Sequence, residues 1–299
     1  MRDFRKPTSE RGTSEAEAKL RRYGPRALVV GASDGIGEAF AIELARRGLD
    51  VTLVARRRPL LESLAELLRA SHGVNASIVV ADIGTPAGVD AVIAAADGVG
   101  LLVCNAALGP IKPFADLTPS EVDAVLDVNC RAAARLTHAI GGAMVARGRG
   151  GVILLSSMAG GQGSALVAHY AATKAYLRVL AEGLWAEWKP RGVDVLACCP
   201  GLVSTPTFTR SKLARLGRLV PAPMSPERVA REALRALGHG PSVIPGWRNR
   251  WSASAVSRLL PRSTAVALVS RQTLAMYPTT PAADPTGSSR PAPVDESDG

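Results

Sequence analysis

A tyrosine and a lysine, Tyr170 and Lys174, stand four residues apart in this chain. On a helix that spacing places both side chains on one face. An ammonium next to a phenol favours the phenolate, so we expect the lysine to lower the tyrosine pKa from its usual value of about 10. A tyrosine tuned in this way exchanges protons near neutral pH. The same spacing also occurs on solvated helices that have no catalytic role.

A glycine-rich turn near the start of the chain is the second candidate site. An apolar run ending at Val30 predicts a buried strand, and the apolar spacing over 35–47 predicts a helix directly after the turn. Glycine lets the backbone approach a pyrophosphate closely, and the first N–H groups of a helix attract an anion. An ordinary glycine-rich connection is the alternative interpretation. The residues of the turn are Gly31, Ser33, Asp34, Gly35, Ile36 and Gly37.

Further motifs continue along the chain to position 205. They are Ala81-Asp82-Ile83, Cys104-Asn105-Ala106-Ala107, Asp127-Val128-Asn129, Ser156-Ser157-Met158-Ala159-Gly160 and Cys199-Pro200-Gly201-Leu202-Val203-Ser204-Thr205. With the glycine turn and the Tyr170–Lys174 pair, they resemble the short-chain dehydrogenase/reductase family in its Rossmann-fold form. Val30, Cys104 and Ala107 depart from the family pattern, which has threonine, asparagine and glycine there.

The resemblance implies a catalytic set and a dinucleotide site. Tyr170 would donate a proton to an alkoxide, and Ser157 would hold the carbonyl oxygen. Lys174 would bind the nicotinamide ribose, and Asn129 would position a water that relays protons. A catalytically silent dinucleotide-binding protein is the alternative, which the intact set disfavours. The implied cofactor-binding residues are those of the glycine turn together with Asp82, Ile83, Asn105, Ala106, Tyr170, Lys174, Pro200, Gly201, Val203 and Thr205.

The end of the second predicted strand indicates which cofactor is preferred. NAD-binding folds of this kind carry an acidic residue about 20 residues after the glycine turn, but this chain has Ala55 there, followed by three arginines that include Arg56 and Arg57. A guanidinium binds a 2′-phosphate that a carboxylate would repel. We therefore predict NADP, with NAD less favoured. Asp34 argues mildly against this, and a solvated basic loop without a ligand is the alternative.

Strand and helix patterns alternate along the chain, which predicts an α/β fold with a doubly wound parallel sheet of the Rossmann type. We expect strands at 27–30, 51–55, 76–81, 101–104, 152–156, 193–199 and 242–245. We expect helices at 35–47, 59–71, 86–96, 119–147, 167–189 and 226–238. The carboxyl ends of parallel strands meet at one edge, so the separate motifs should converge on one crevice.

Length and composition predict one domain with extensions. We assign 1–24 to a polar N-terminal extension, 25–246 to the catalytic domain, 247–277 to a basic amphipathic C-terminal extension and 278–299 to a disordered tail. The segment 206–223 carries four basic residues interleaved with leucines, so we interpret it as a lid that covers an apolar substrate; a solvated lid whose charge serves only solubility is the alternative. The expected substrate is an apolar ketone of lipid, steroid or acyl type.

The net charge of +10 could favour anionic partners. The arginines are spread along the chain and no nucleic-acid-binding module is evident, so we do not expect nucleic acid as a partner. The arginine-rich segment 247–277 leaves a weak peripheral membrane contact open. The family resemblance also implies a homodimer or homotetramer that pairs the helices at 119–147 and 167–189.

The four cysteines show neither metal-ligand spacing nor a disulfide framework, so we expect no metal and a reduced cytoplasmic protein. They are Cys104, Cys130, Cys198 and Cys199. The first 24 residues have no apolar core of a signal peptide.

Overall fold

The computed structural model describes residues 20–206 and 221–277. Within them, seven strands form one parallel sheet in the order β3-β2-β1-β4-β5-β6-β7. The strands are β1 (Arg26–Val30), β2 (Asp50–Ala55), β3 (Ala76–Val80), β4 (Val99–Cys104), β5 (Gly150–Leu155), β6 (Val193–Cys198) and β7 (Ser242–Val243). The strand order reverses between β1 and β4, so the predicted doubly wound sheet is confirmed.

Helices connect the strands, and each predicted helix is present to within a few residues. They are α1 (Gly35–Arg46), α2 (Arg58–His72), α3 (Pro86–Ala94), α4 (119–147), α5 (Ala168–Trp188), α6 (Pro226–Ala236), α7 (Trp247–Leu259) and α8 (Arg262–Met276). The start of α4 is fixed by a capping box in which Thr118 and Glu121 bond each other's backbone N–H groups.

Two π-helical segments interrupt α4, and the sequence did not predict them. The first spans Asp127–Ala132 and contains Asn129; the second spans Thr137–Gly141. Single π turns inside α-helices are often found at functional sites, because they re-aim a side chain out of the regular helical repeat. The first one carries a residue of the predicted catalytic set.

Both faces of the sheet are buried, which explains why the strands read as continuous apolar runs. One core cluster joins the sheet to α1, α2 and α6, with Phe40 and Leu61 among its fully buried members. The other joins it to α3, α4 and α5 through residues such as Leu136 and Leu177. Leu28 and Val29, neighbours on β1, lie in different clusters because successive side chains of a strand point to opposite faces.

The C-terminal segment 247–277 forms the two helices α7 and α8, which follow β7. Most of the predicted lid and all of the predicted tail lie outside the described residues, as does most of the predicted N-terminal extension. None of the helices in the part of the chain that the structure describes is both long and apolar enough to span a bilayer.

Candidate active site

The glycine turn follows β1 and lies against the end of β4. Gly31 has a φ of 81°, and a Cβ added to it would lie 2.8 Å from the backbone of Ala106. The Asn105 side chain donates a hydrogen bond of 3.0 Å to the Gly31 carbonyl. Asn105 and Ala106, predicted from a motif 74 positions away from Gly31, are therefore in contact with the turn.

Two more glycines of the turn let neighbouring groups pack closely against the start of α1. A Cβ on Gly35, whose φ is 60°, would lie 3.0 Å from the Thr205 methyl group, and one on Gly37 would collide with the Gly31 carbonyl oxygen. Asp34, the residue that precedes α1, makes no capping bond from its side chain. Because the Asp34 side chain does not cap α1, the first N–H groups of this helix can bind an anion such as the pyrophosphate of a dinucleotide.

The basic residues after β2 lie beside this turn and are paired with acids. Arg57 donates a hydrogen bond of 2.7 Å to the Ser33 hydroxyl and forms an ion pair with Asp34. Arg56 lies 3.8 Å from Asp82, whose other oxygen accepts a bond from the Gly84 N–H. Of the two arginines, Arg56 is the more exposed, with 66% of its side chain accessible to solvent.

The loop after β6 contains the last sequence motif, residues 199–205, and lies at the same edge of the sheet as the glycine turn. The Pro200 carbonyl accepts a bond of 2.9 Å from the Met158 N–H, which joins this loop to the turn after β5. Val203 pairs with Met224 as an isolated β-bridge, and Thr205 lies over Gly35. Ile83 is buried in the core beneath the end of β3.

The predicted catalytic side chains meet where β5 and α5 approach each other. Ser157 follows β5, and Tyr170 and Lys174 lie one turn apart on α5. The Lys174 ammonium lies 5.5 Å from the centre of the Tyr170 ring and donates a bond of 2.7 Å to the Leu155 carbonyl. The Ser156 hydroxyl bonds the Lys174 carbonyl at 2.6 Å and fixes the strand end to the helix.

The pKa of Tyr170 is raised above its usual value, opposite to the direction expected from the sequence. Burial of the phenol has the largest effect, and nearby Tyr277 adds to it, while the Ser157 hydroxyl acts in the lowering direction. Burial also lowers the pKa of Lys174 to about 8. Tyr170 is therefore protonated at neutral pH, which is the state a proton donor requires.

Asn129 is fully buried, and its side chain makes three hydrogen bonds within the protein. Its amide nitrogen donates to the Leu108 carbonyl at 2.8 Å and to the Thr173 hydroxyl at 2.9 Å. Its oxygen accepts a bond of 2.8 Å from the Leu108 N–H. Both amide hydrogens are thus used, and the side chain fixes the segment after β4. Its role in holding a relay water stays a prediction.

The segment that Asn129 fixes lies directly against Tyr170, the predicted proton donor. A Cβ added to Gly109, the residue after Leu108, would lie 2.7 Å from the Tyr170 ring. The ring therefore rests on a backbone that has no side chain at this position. Asn129 acts on Tyr170 through Leu108 and Gly109, as a positioning residue.

Helix α8 contributes side chains to the site that the sequence reasoning missed. Thr273 bonds the Ser164 hydroxyl at 2.8 Å, and the Ser270 hydroxyl accepts a bond of 3.1 Å from the Ala165 N–H. Both contacts hold the segment that leads into α5 and Tyr170. Ser270, Thr273 and Tyr277 lie three or four positions apart, and this polar spacing was the available signal.

A buried amide, which the sequence analysis also did not identify, anchors helix α7 to the loop around Gly201 that is predicted to bind the cofactor. The Asn249 side chain donates to the Pro245 carbonyl at 2.9 Å and is almost completely buried. A Cβ on Gly201 would lie 3.0 Å from it, so the amide covers the predicted cofactor loop directly. A single asparagine between arginines gave no sequence signal for this contact.

The sequence model of the short chain dehydrogenases matches residues 25–215. The chain belongs to the short-chain dehydrogenase family. The resemblance stated from the motifs is thereby confirmed. Among curated family members, the 7beta-hydroxysteroid dehydrogenase of Clostridium sardiniense is 32% identical over 77% of this chain and 88% of its own length. The very-long-chain 3-oxoacyl-CoA reductase of Anas platyrhynchos is 30% identical over 82% of this chain and 79% of its own.

Other similar short-chain dehydrogenases differ in activity or carry a bound cofactor. The human inactive hydroxysteroid dehydrogenase-like protein 1 is 32% identical over 76% of this chain and 70% of its own. A structure determined to study 7beta-hydroxysteroid dehydrogenase stereoselectivity superposes with a TM-score of 0.77 at 29% identity, covering 84% of this chain and 98% of that one. A Sphingobium yanoikuyae short-chain dehydrogenase in complex with NADPH has a TM-score of 0.68 at 30% identity, covering 79% and 94%.

Gly109→Ala should displace the Tyr170 ring, because the added methyl group would occupy the space where the ring now contacts the Gly109 backbone. A shift of about 1 Å in a reacting group lowers turnover roughly a hundredfold. Gly163→Ala is the matched control, since a Cβ there would meet no atom within 4 Å. Turnover and thermal midpoint are measured for both variants. Equal turnover of Gly109→Ala and the unsubstituted protein would contradict the positioning argument.

The lowered pKa of Lys174 should make the free energy of unfolding depend on pH. Between pH 8 and 10.5 the unfolded chain keeps the lysine proton while the folded protein releases it, so stability from this group rises with pH. The slope is at most about 1.4 kcal/mol per pH unit. Denaturant unfolding at several pH values should give a difference in unfolding free energy, unsubstituted protein minus Lys174→Met, that rises over this range. The comparison between the two proteins is needed because buried cysteines and tyrosines with raised pKa act in the opposite direction. If the unfolding free energies of the two proteins change with pH in the same way, the pKa of Lys174 is not lowered and the prediction is wrong.

Proposed function

We propose that this short-chain dehydrogenase is an NADP(H)-dependent oxidoreductase that interconverts a carbonyl and an alcohol. The observation that carries the proposal is the convergence of Ser157, Tyr170 and Lys174 beside the glycine cradle. A hydroxyl, a protonated phenol and a buried ammonium at the mouth of a dinucleotide cradle form the set that carbonyl reduction needs.

The roles of the three side chains follow from their positions. The dinucleotide, when bound, supplies a hydride. Ser157 and Tyr170 lie close enough to interact, so a carbonyl oxygen placed between them accepts hydrogen bonds from both hydroxyls. Tyr170 then passes its proton to that oxygen as the carbonyl carbon becomes saturated. The Lys174 ammonium, 5.5 Å from the ring centre, stabilises the phenolate that remains.

An apolar ketone of lipid, steroid or acyl type is the proposed substrate. A narrow crevice beside Tyr170 includes the apolar side chains of Pro110, Phe114, Leu117 and Leu166, together with Lys112 and His169. Phe114 leaves 57% of its surface exposed at this crevice, so an apolar substrate would bury it. The hydroxysteroid and 3-oxoacyl-CoA enzymes among the relatives support the same substrate class.

A substrate panel tests the proposed reaction. Purified protein with NADPH is given steroid ketones, 3-oxoacyl thioesters and small polar ketones, and NADPH oxidation is followed by absorbance. We expect oxidation with at least one apolar ketone and a lower kcat/KM for the small polar ones. Tight NADPH binding without oxidation across the panel would favour the silent-binding alternative.

That alternative is a dinucleotide-binding protein without activity on the same fold. Its support is the similarity to the inactive hydroxysteroid dehydrogenase-like protein 1. Retention of Ser157, Tyr170 and Lys174 argues against it, because a protein that only binds the dinucleotide has no need of a proton donor. The panel separates the two, since both proteins would bind the dinucleotide but only the enzyme would oxidise it.

The preference for NADP rests on the residues beside the glycine cradle. Strand β2 ends at Ala55 without a carboxylate to bond the ribose hydroxyls, and the exposed Arg56 follows it. Arg57 lies nearer the turn but is paired with Asp34, which would also repel a 2′-phosphate. The NADPH complex of a similar family member supports the same preference.

Arg56→Ala should weaken NADPH binding by about tenfold to a hundredfold and leave NADH binding nearly unchanged, because a charge-assisted phosphate contact contributes roughly 1.5–3 kcal/mol. Asp34→Asn should tighten NADPH binding, since it removes a repelling charge and releases Arg57. Arg58→Ala is the control, as Arg58 pairs with Glu62 instead. Dissociation constants are measured by titration; equal affinities of the unsubstituted protein for NADPH and NADH would refute the preference.

A homodimer or homotetramer through α4 and α5 is the proposed assembly. Leu126 on α4 and Tyr176 and Val179 on α5 are exposed, and Val179 exposes 67% of its surface. Exposed apolar groups on neighbouring helices are typical of a subunit interface. Light scattering should therefore give a multiple of the 31.1 kDa chain mass for the unsubstituted protein and a smaller assembly for Val179→Asp. A single-chain mass for the unsubstituted protein would exclude the assembly.

A further inference from the structure

Helix α7 presents an outer face that combines exposed tryptophans with arginines. Trp247 and Trp251 expose 59% and 73% of their surfaces, and Leu259 at the end of the helix exposes 76%. At helical spacing, Trp247, Trp251 and Arg258 form one column along the helix. The opposite side is anchored to the protein by Asn249, so the column faces outward.

The chain segment that carries this face has charged side chains of one sign. From position 233 to position 277 the chain has six arginines and no Asp, Glu or Lys. Glu232, just before this stretch, is held by Arg228 and lies within 3.5 Å of Arg250. The arginines of the stretch are Arg235, Arg248, Arg250, Arg258, Arg262 and Arg271.

The residues around this face also fit the surface of a lipid bilayer, which is apolar inside and anionic at its head groups. Trp251, Arg250, Ser254, Ala255 and Arg258 line a shallow open groove along α7. Tryptophan and arginine are the side chains that sit at the head-group level of a bilayer, with the apolar body directed inward and the charged end among phosphates.

We infer that the outer face of α7 docks on an anionic membrane surface, with Trp247 and Trp251 inserted at the head-group level and the arginines bound to lipid phosphates. The helix is too short and too polar to span a bilayer, so it lies in the plane of the interface. Because Asn249 joins α7 to Gly201 beside the candidate site, docking would place that site near the membrane and give it access to apolar ketones dissolved there.

Co-sedimentation with vesicles tests the inference and needs neither cofactor nor substrate, so its outcome is independent of the proposed function. The probes are vesicles of phosphatidylcholine alone and of an equal mixture with phosphatidylglycerol. We expect binding to the mixed vesicles only, weakening as salt shortens the Debye length from about 30 Å at 0.01 M to about 8 Å at 0.15 M. Tryptophan emission should shift to shorter wavelength on binding.

Two variants and two matched controls locate the binding face. Arg258→Gln should lower the partition coefficient about fivefold, the effect of one arginine near a charged surface, and Trp251→Ser should lower it further and reduce the emission shift. Arg149→Gln and Leu67→Ser, exposed positions elsewhere, should leave the partition coefficient unchanged. No binding to mixed vesicles, or equal binding by all four variants, would overturn the inference. If Trp251→Ser instead lowers the assembly mass in light scattering while vesicle binding is unchanged, the face is a contact between copies of the chain and the inference is wrong.

Discussion

The buried amide of Asn129 joins three parts of the chain, and the position of the reactive phenol depends on that junction. Each of its hydrogen-bonding groups is satisfied by the protein, two by the Leu108 backbone and one by Thr173 on α5. Leaving a buried amide unpaired costs about 1–3 kcal/mol, so the three parts are held together strongly. Gly109 follows Leu108 and supports the Tyr170 ring, which makes the amide on α4 a positioning group for a phenol on α5.

The sequence was sufficient to predict the sheet and the convergence of the motifs at one edge of it. Alternation of apolar strands and amphipathic helices restricts the topology, because parallel strands need helical crossovers that cover both faces. In a parallel sheet, the residues that follow the strands all lie at the carboxyl edge. The sequence alone therefore predicted that the glycine turn, Asn105 and Ser157 lie close together. Val30, Cys104 and Ala107, which depart from the family pattern, left this arrangement intact.

What the sequence could not predict are interactions between side chains that only the folded chain brings together. The direction of the Tyr170 pKa shift depends on burial, which outweighs the hydrogen bond with Ser157 and cannot be read from a spacing of four residues. The pairing of Arg57 with Asp34 and the bond between Thr273 and Ser164 each join distant segments. The contacts of the Asn129 side chain could not be predicted for the same reason, since its partners lie on two other parts of the chain.

Single-turnover reduction by Tyr170→Phe is the most direct test of the central claim that the phenol of Tyr170 is the proton donor. The variant keeps the ring that rests on Gly109 and removes only the hydroxyl. With a ketone that the unsubstituted protein reduces, the rate of NADPH oxidation should fall by about 10²–10⁴-fold while NADPH affinity stays the same. An unchanged rate at equal NADPH affinity would contradict the account, because the proton would then come from another group.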